Sequence, residues 1–87
     1  MEILKERGEV YGSFKINLLS RADIMATLNQ VAVSKSGRLL SNQDYQAIND
    51  IVIKLARLAA SPEHKDSWED IAGYATLNLE RLKDINA

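Results

Sequence analysis

Residues 41–62 have the sequence SNQDYQAINDIVIKLARLAASP, which predicts one long and mostly buried helix. Ser41 stands three residues before Asp44, a capping pattern in which the serine hydroxyl accepts from a backbone N–H of the first turn. Four β-branched residues from Ile48 to Ile53 also fit a strand, but the capped start, the length and the helical spacing favour a helix. Ser61-Pro62 ends it. The apolar positions are Tyr45, Ile48, Ile51, Val52, Leu55, Ala56, Leu58 and Ala59.

A second well-marked helix follows Pro62. Asp66 precedes Glu69 by three residues, so the pattern predicts a capping box with Asp66 as the cap. We expect this helix to begin at Asp66 or Ser67, after a turn that contains Pro62 and leaves His64 partly exposed. Its apolar residues are Trp68, Ile71, Ala72, Ala75, Leu77, Leu79, Leu82 and Ile85.

Two further helical segments precede residue 41. Ser13 suits the start of a helix whose apolar residues return at three- and four-residue steps and which ends at Gly37. Ser20 is itself a possible cap, so one continuous helix and two shorter ones both remain open. The stretch from Met1 to about Glu9 predicts a short helix that ends at Tyr11-Gly12. Together the segments indicate an all-α fold, a small antiparallel bundle of three to four helices.

Length and composition restrict the classes of protein to consider. The 87 residues suffice for one domain, 1–87, with a thin core, so we expect self-association through apolar residues of the helix before Gly37 or the helix after Pro62. The absence of cysteine excludes disulfides and thiolate metal sites. A net charge of −1 makes direct nucleic-acid binding an unfavourable interpretation. No signal peptide or membrane span is evident, which predicts a cytoplasmic protein without membrane contact.

Opposite charges on the last two predicted helices indicate a binding site. Asp50, Lys54 and Arg57 share one helical stripe, either as solvated side chains with Asp50 paired to Lys54 or as a clamp for phosphate or carboxylate. On the next helix Asp70 caps nothing and should face a cation, either Arg57 or a bound Mg²⁺. We expect Arg57 and Asp70 to meet across the two helices, with Lys54 and Tyr74 close by.

Four residues near Asp70 leave alternatives open. Asp66 is either a helix cap or a metal ligand. Gly73 lies in mid-helix, where glycine costs about 1 kcal/mol relative to alanine, so either a closely crossing helix or a ligand on the bare backbone should compensate. His64 and Lys65 precede a helix N-terminus, which favours anions, and form either a phosphate site or a solvated turn.

These residues resemble a known group of proteins. The segments Arg7…Tyr11-Gly12, Lys54-Leu-Ala-Arg57 and His64-Lys-Asp-Ser-Trp-Glu-Asp-Ile-Ala-Gly-Tyr-Ala75 are similar to small phage and prophage helical domains associated with nucleotide modification. Those domains are distantly similar to all-α nucleoside triphosphate pyrophosphatases of the MazG type, in which acidic pairs on two helices hold Mg²⁺. Here Lys54 and Arg57 stand where one acidic pair is expected, and the pair Asp66 and Asp70 is the other.

The resemblance implies a cleft of mixed charge that binds a nucleotide or a similar anion. In this interpretation Lys54, Arg57 and Lys65 hold phosphates, Asp66 and Asp70 hold Mg²⁺, and Tyr74 or Trp68 stacks on a base. A catalytic version would hydrolyse a phosphoanhydride with Mg²⁺. The alternative interpretation is a non-enzymatic phage-type protein that inhibits a host defence or metabolic protein by binding its surface.

Overall fold

The computed structural model describes residues 13–86, and this part of the chain forms three helices without a strand. They are α1 (Phe14–Ser36), α2 (Asn42–Ala60) and α3 (Lys65–Asn86). The predicted all-α class is therefore confirmed, and residues 45–59 are helix rather than strand. The short helix predicted for residues 1–9, together with Arg7, Tyr11 and Gly12, lies outside the described residues.

The ends of α1 follow backbone chemistry that the sequence predicts only in part. Gly37 adopts a left-handed conformation (φ 74°), and its N–H donates to the Val33 carbonyl at 2.8 Å, so the predicted glycine end is confirmed. The helix passes through residues 20–23 without a break, which settles the alternative in favour of one continuous helix. The helix starts where Ser13 predicts, since Ser13 is the residue immediately before it, although the serine side chain makes no capping hydrogen bond.

The central element of the fold is α2, because α1 and α3 each pack mainly against it. Ser41 caps it as predicted, since its hydroxyl accepts from the Asp44 N–H at 3.1 Å. The buried apolar side chains in the described part are few, which agrees with the thin core expected for a chain of this size. They are Met25 of α1 and Val52, Ala56 and Leu58 of α2.

The start of α3 differs from the predicted capping box. The helix begins at Lys65, so Asp66 lies inside the first turn and does not cap it. The reason is that the His64 carbonyl already accepts from the N–H groups of Ser67 (3.2 Å) and Trp68 (3.4 Å), which fixes the first turn one residue earlier. The predicted turn containing Pro62 is present and His64 is half-buried, so a helix running unbroken from Tyr45 to Leu82 is excluded.

Two ion pairs align α2 and α3. Arg81 Nη2 lies 3.1 Å from Asp44 Oδ1, and Lys54 Nζ lies 2.9 Å from Asp70 Oδ2. The order of these residues runs forward along α2 and backward along α3, so the two helices form an antiparallel hairpin. None of the described helices is long and apolar enough to cross a bilayer.

Candidate functional site

The predicted site residues gather on the hairpin formed by α2 and α3. Lys54 extends from α2 to the carboxylate of Asp70 on α3, and the side chains are 13% and 49% exposed. The lysine side chain is therefore largely covered, whereas the carboxylate of its partner is half-exposed. This contact brings Lys54 of the α2 stripe and Asp70 of α3 together on the hairpin.

The cation that contacts Asp70 is Lys54 and not the predicted Arg57. The pairing of Asp44 with Arg81 sets the register of the hairpin, and that register brings Lys54 level with Asp70. Arg57 lies about one turn closer to the connection, level with Ser67. Arg57 makes an interaction of its own. The alternative in which Lys54 pairs with Asp50 along the same helix is also replaced by the contact between helices.

The turn before α3 is held by its own side chains. His64 Nδ1 and Ser67 Oγ share a hydrogen bond of 2.8 Å, and Ser67 is 1% exposed. Trp68 Nε1 donates to the Pro62 carbonyl at 2.9 Å. Lys65 lies on the surface and forms a 3.5 Å ion pair with Glu69, a contact between exposed groups that contributes little stability. His64 and Lys65 thus lie at one end of the hairpin, each with a local partner.

The residues proposed for Mg²⁺ offer few ligands for a bare cation. The described part contains no group of three or more His, Asp or Glu side chains placed to hold a metal ion. Asp66 is exposed, and Asp70 is engaged by Lys54. Proteins often bind Mg²⁺ through one or two carboxylates together with the phosphates of a ligand, and this donor set fits only that mode. Mg²⁺ therefore stays a prediction tied to a phosphate ligand.

Gly73 and Tyr74 lie one turn after Asp70. Tyr74 is half-buried on the side of α3 that faces α2. A Cβ built on Gly73 has no neighbouring atom within 4 Å, so the explanation that a crossing helix requires glycine here is wrong. The helix axis of α2 lies on another side of α3, which leaves the Gly73 backbone open to solvent. Approach of a ligand to this backbone stays a prediction.

Replacement of Gly73 by alanine should stabilise the free protein. The added methyl group enters open space, and the loss of glycine's unfolded-state freedom should raise the free energy of unfolding by about 0.5–1 kcal/mol in a urea titration. Gly37→Ala is the matched control, because the left-handed φ of 74° should make that change destabilising. A loss of stability in Gly73→Ala would contradict the open environment of Gly73.

The contact between Asp44 and Arg81 was not predicted from the sequence. Asp44 draws attention as a residue of the first turn of α2, and Arg81 falls outside the recognised motif segments. The available signal is that the two opposite charges lie at nearly equal distances in sequence from Pro62. In an antiparallel hairpin such residues come level, and the 3.1 Å contact follows.

A comparison with family models places the hairpin in a wider context. A model described as a domain of unknown function, DUF6378, matches residues 1–82. The chain belongs to the DUF6378 family. The DUF6378 match includes α1, α2, and α3 as far as Leu82, so every candidate site residue lies inside it. None of the curated proteins and none of the solved structures compared with the chain matches it.

Proposed function

We propose that the hairpin site binds a phosphate-bearing small molecule of the nucleotide class. The observation that supports the proposal is the pair of Lys54 and Asp70, in which a mostly buried lysine side chain meets a half-exposed carboxylate at 2.9 Å. A buried cation requires an anionic partner, but that partner need not be Asp70. A phosphate oxygen that replaces the carboxylate keeps Lys54 paired and releases Asp70.

The released carboxylate gives the site a second role. Asp70 freed from Lys54 is a ligand for Mg²⁺ that arrives with the phosphates, and Asp66 lies one turn before it on the same helix. Arg57 is one turn from Lys54 and offers a planar set of donors suited to phosphate. His64 and Lys65 extend the basic character toward the turn. The open backbone at Gly73 provides room for a ligand next to Asp70.

The base of a nucleotide has two aromatic candidates. Tyr74 is half-buried beside Asp70. Trp68 is more exposed and lies in the first turn of α3. Binding is the core of the proposal. If turnover accompanies it, the reaction is hydrolysis of a phosphoanhydride, for which Mg²⁺ neutralises charge and activates water. With the resemblance described above, we further propose a phage-type protein acting in the host cytoplasm.

A thermal-shift screen tests the proposal. Nucleoside mono-, di- and triphosphates are added with and without Mg²⁺ to the wild type, to Lys54→Met and to Lys35→Met, an exposed lysine of α1. A ligand at about 100 times its dissociation constant should raise the melting temperature by roughly 10–20 °C in a domain of this size. We expect the shift in the wild type and in Lys35→Met but not in Lys54→Met. Equal shifts in all three proteins, or none, would refute binding at this site.

A second candidate function is inhibition of a host protein through surface contacts alone. It is favoured by the apolar side chains exposed along the first turns of α1, which are Phe14, Ile16, Leu18 and Leu19. Such a function needs neither Lys54 nor a nucleotide. Loss of tight partner binding in Phe14→Glu, with full binding in Lys54→Met, would distinguish it from the first candidate.

A further inference from the structure

α3 has two parallel seams of side chains, and only one of them is packed. The first seam faces α2 and consists of buried or half-buried residues at steps of four and three, namely Ser67, Ile71, Tyr74, Asn78 and Arg81. The second seam is displaced by one residue and has the same steps, and its members are all exposed. They are Trp68, Ala72, Ala75, Leu79 and Leu82.

The polarity of these seams is the reverse of what an isolated hairpin needs. The packed seam contains serine, tyrosine, asparagine and arginine, whereas the exposed seam is entirely apolar. Trp68 is 55% exposed and Leu79 is 61% exposed. Alternating steps of four and three are the pattern by which one helix packs along another. The exposed seam therefore has the spacing and the polarity of a helix–helix interface.

We propose that this exposed seam pairs with the same seam of a second copy of the chain, with the two α3 helices antiparallel. The distribution of sizes along the seam supports this orientation. After Trp68 its first half contains Ala72 and Ala75, and its second half contains Leu79 and Leu82. Antiparallel pairing sets the small half of each copy against the large half of the other, so that side chains interdigitate. Parallel pairing would set alanine against alanine and leave a gap.

The charges beside the seam support the same arrangement. Glu69, Thr76 and Lys83 follow one another at intervals of seven residues along its solvent side. A two-fold axis near Thr76 brings Glu69 of each copy opposite Lys83 of the other, which gives two complementary pairs. In a parallel dimer the two copies of Glu69 would lie on opposite edges of the interface, as would the two copies of Lys83, so these charges would not pair with each other. The inferred dimer is thus self-complementary in both size and charge.

The inference is independent of the proposed function. Asp70 and Gly73 lie on the side of α3 away from the exposed seam, so pairing of two copies leaves them open to a ligand. Trp68 belongs to the seam, so in the dimer Tyr74 is the aromatic candidate for stacking on a base. A protein that dimerises without binding nucleotides would support the interface and refute the site. A monomer that binds nucleotides through Lys54 would support the site and refute the interface.

Sedimentation equilibrium of two matched variants tests the interface. Leu79 and Leu77 are almost equally exposed (61% and 62%) on the same helix, but only Leu79 belongs to the seam. We expect the wild type and Leu77→Glu to dimerise and Leu79→Glu to raise the dissociation constant by at least about 100-fold, because symmetry removes two central contacts. A monomeric wild type, or equal effects of the two changes, would overturn the proposal.

The orientation has its own tests. Glu69→Lys should weaken the dimer, and the double change Glu69→Lys with Lys83→Glu should restore it. The chain has no cysteine, so Thr76→Cys introduces a single thiol that a short bismaleimide should link between copies. Glu69→Cys should not link to itself, because the two sites lie about 21 Å apart along antiparallel helices. Efficient linking of Glu69→Cys, or no linking of Thr76→Cys, would refute the antiparallel arrangement centred near Thr76.

Discussion

Met25→Ala is expected to lower the free energy of unfolding by about 2–5 kcal/mol, the largest effect of any single change considered for this protein. Met25 is 1% exposed and is the buried side chain that α1 contributes to the core. Its truncation removes apolar contacts and leaves a cavity that the few surrounding residues fill poorly. A domain of this length has a total stability of roughly 5–10 kcal/mol, so the variant should be close to unfolding at 37 °C.

The neighbouring residue provides the control. Ile24 is a large apolar residue of the same helix, but it is 38% exposed. Ile24→Ala should cost well under half of the Met25→Ala effect, because much of its surface meets water in both states. Chemical denaturation followed by circular dichroism gives both values. If the two changes cost the same, α1 does not pack on α2 through Met25.

The second large effect concerns the two partners of the Lys54–Asp70 pair, which should respond unequally to substitution. Asp70→Asn leaves the mostly buried Lys54 side chain without its carboxylate partner and should cost about 1–2 kcal/mol of stability. The cost is below that of a fully buried pair because Asp70 is half-exposed. Lys54→Met removes the charge and keeps an apolar stem of similar length, so it should be near neutral. The double variant should resemble Lys54→Met alone.

The unequal costs of Asp70→Asn and Lys54→Met distinguish an ion pair with a largely buried lysine from an ordinary pair of exposed charges. Glu80→Gln serves as the control, since Glu80 is an exposed carboxylate of the same helix. It should change stability by less than about 0.5 kcal/mol. Equal and small costs for Asp70→Asn and Lys54→Met would show that Lys54 keeps its water in solution. In that case the exchange of Asp70 for a phosphate would lose its physical basis.

The parts of the structure that could be predicted from the sequence are those set by local backbone chemistry. The serine cap at Ser41, the glycine end at Gly37 and the turn at Pro62 each depend on residues a few positions apart. The prediction that Asp70 faces a cation is also confirmed. The predicted partner of Asp70, Arg57, was wrong because the choice between Lys54 and Arg57 depends on the register of two helices. No local sequence pattern determines that register.

The two faces of α3 illustrate a different limit. In the sequence, the apolar residues of this helix, from Trp68 to Ile85, are numerous enough to predict one broad apolar stripe. The structure divides them, because the ion pairs of Lys54 and Arg81 turn a partly polar face toward α2. Spacing shows that a helix is amphipathic, but which of two adjacent faces meets its neighbour is decided by contacts between helices. The crossing-helix explanation of Gly73 was wrong for the same reason.

The central place of α2 has a consequence for how this chain can change in evolution. Because α1 and α3 pack against different sides of α2, its residues serve two neighbours at once. A substitution alters one contact, whereas a single inserted or deleted residue rotates everything that follows by about 100°. Such an insertion or deletion in α2 would misalign both of its packing surfaces at once, the one against α1 and the one against α3. The length of α2 is therefore more tightly fixed than its composition, and length variation belongs at the connections on either side.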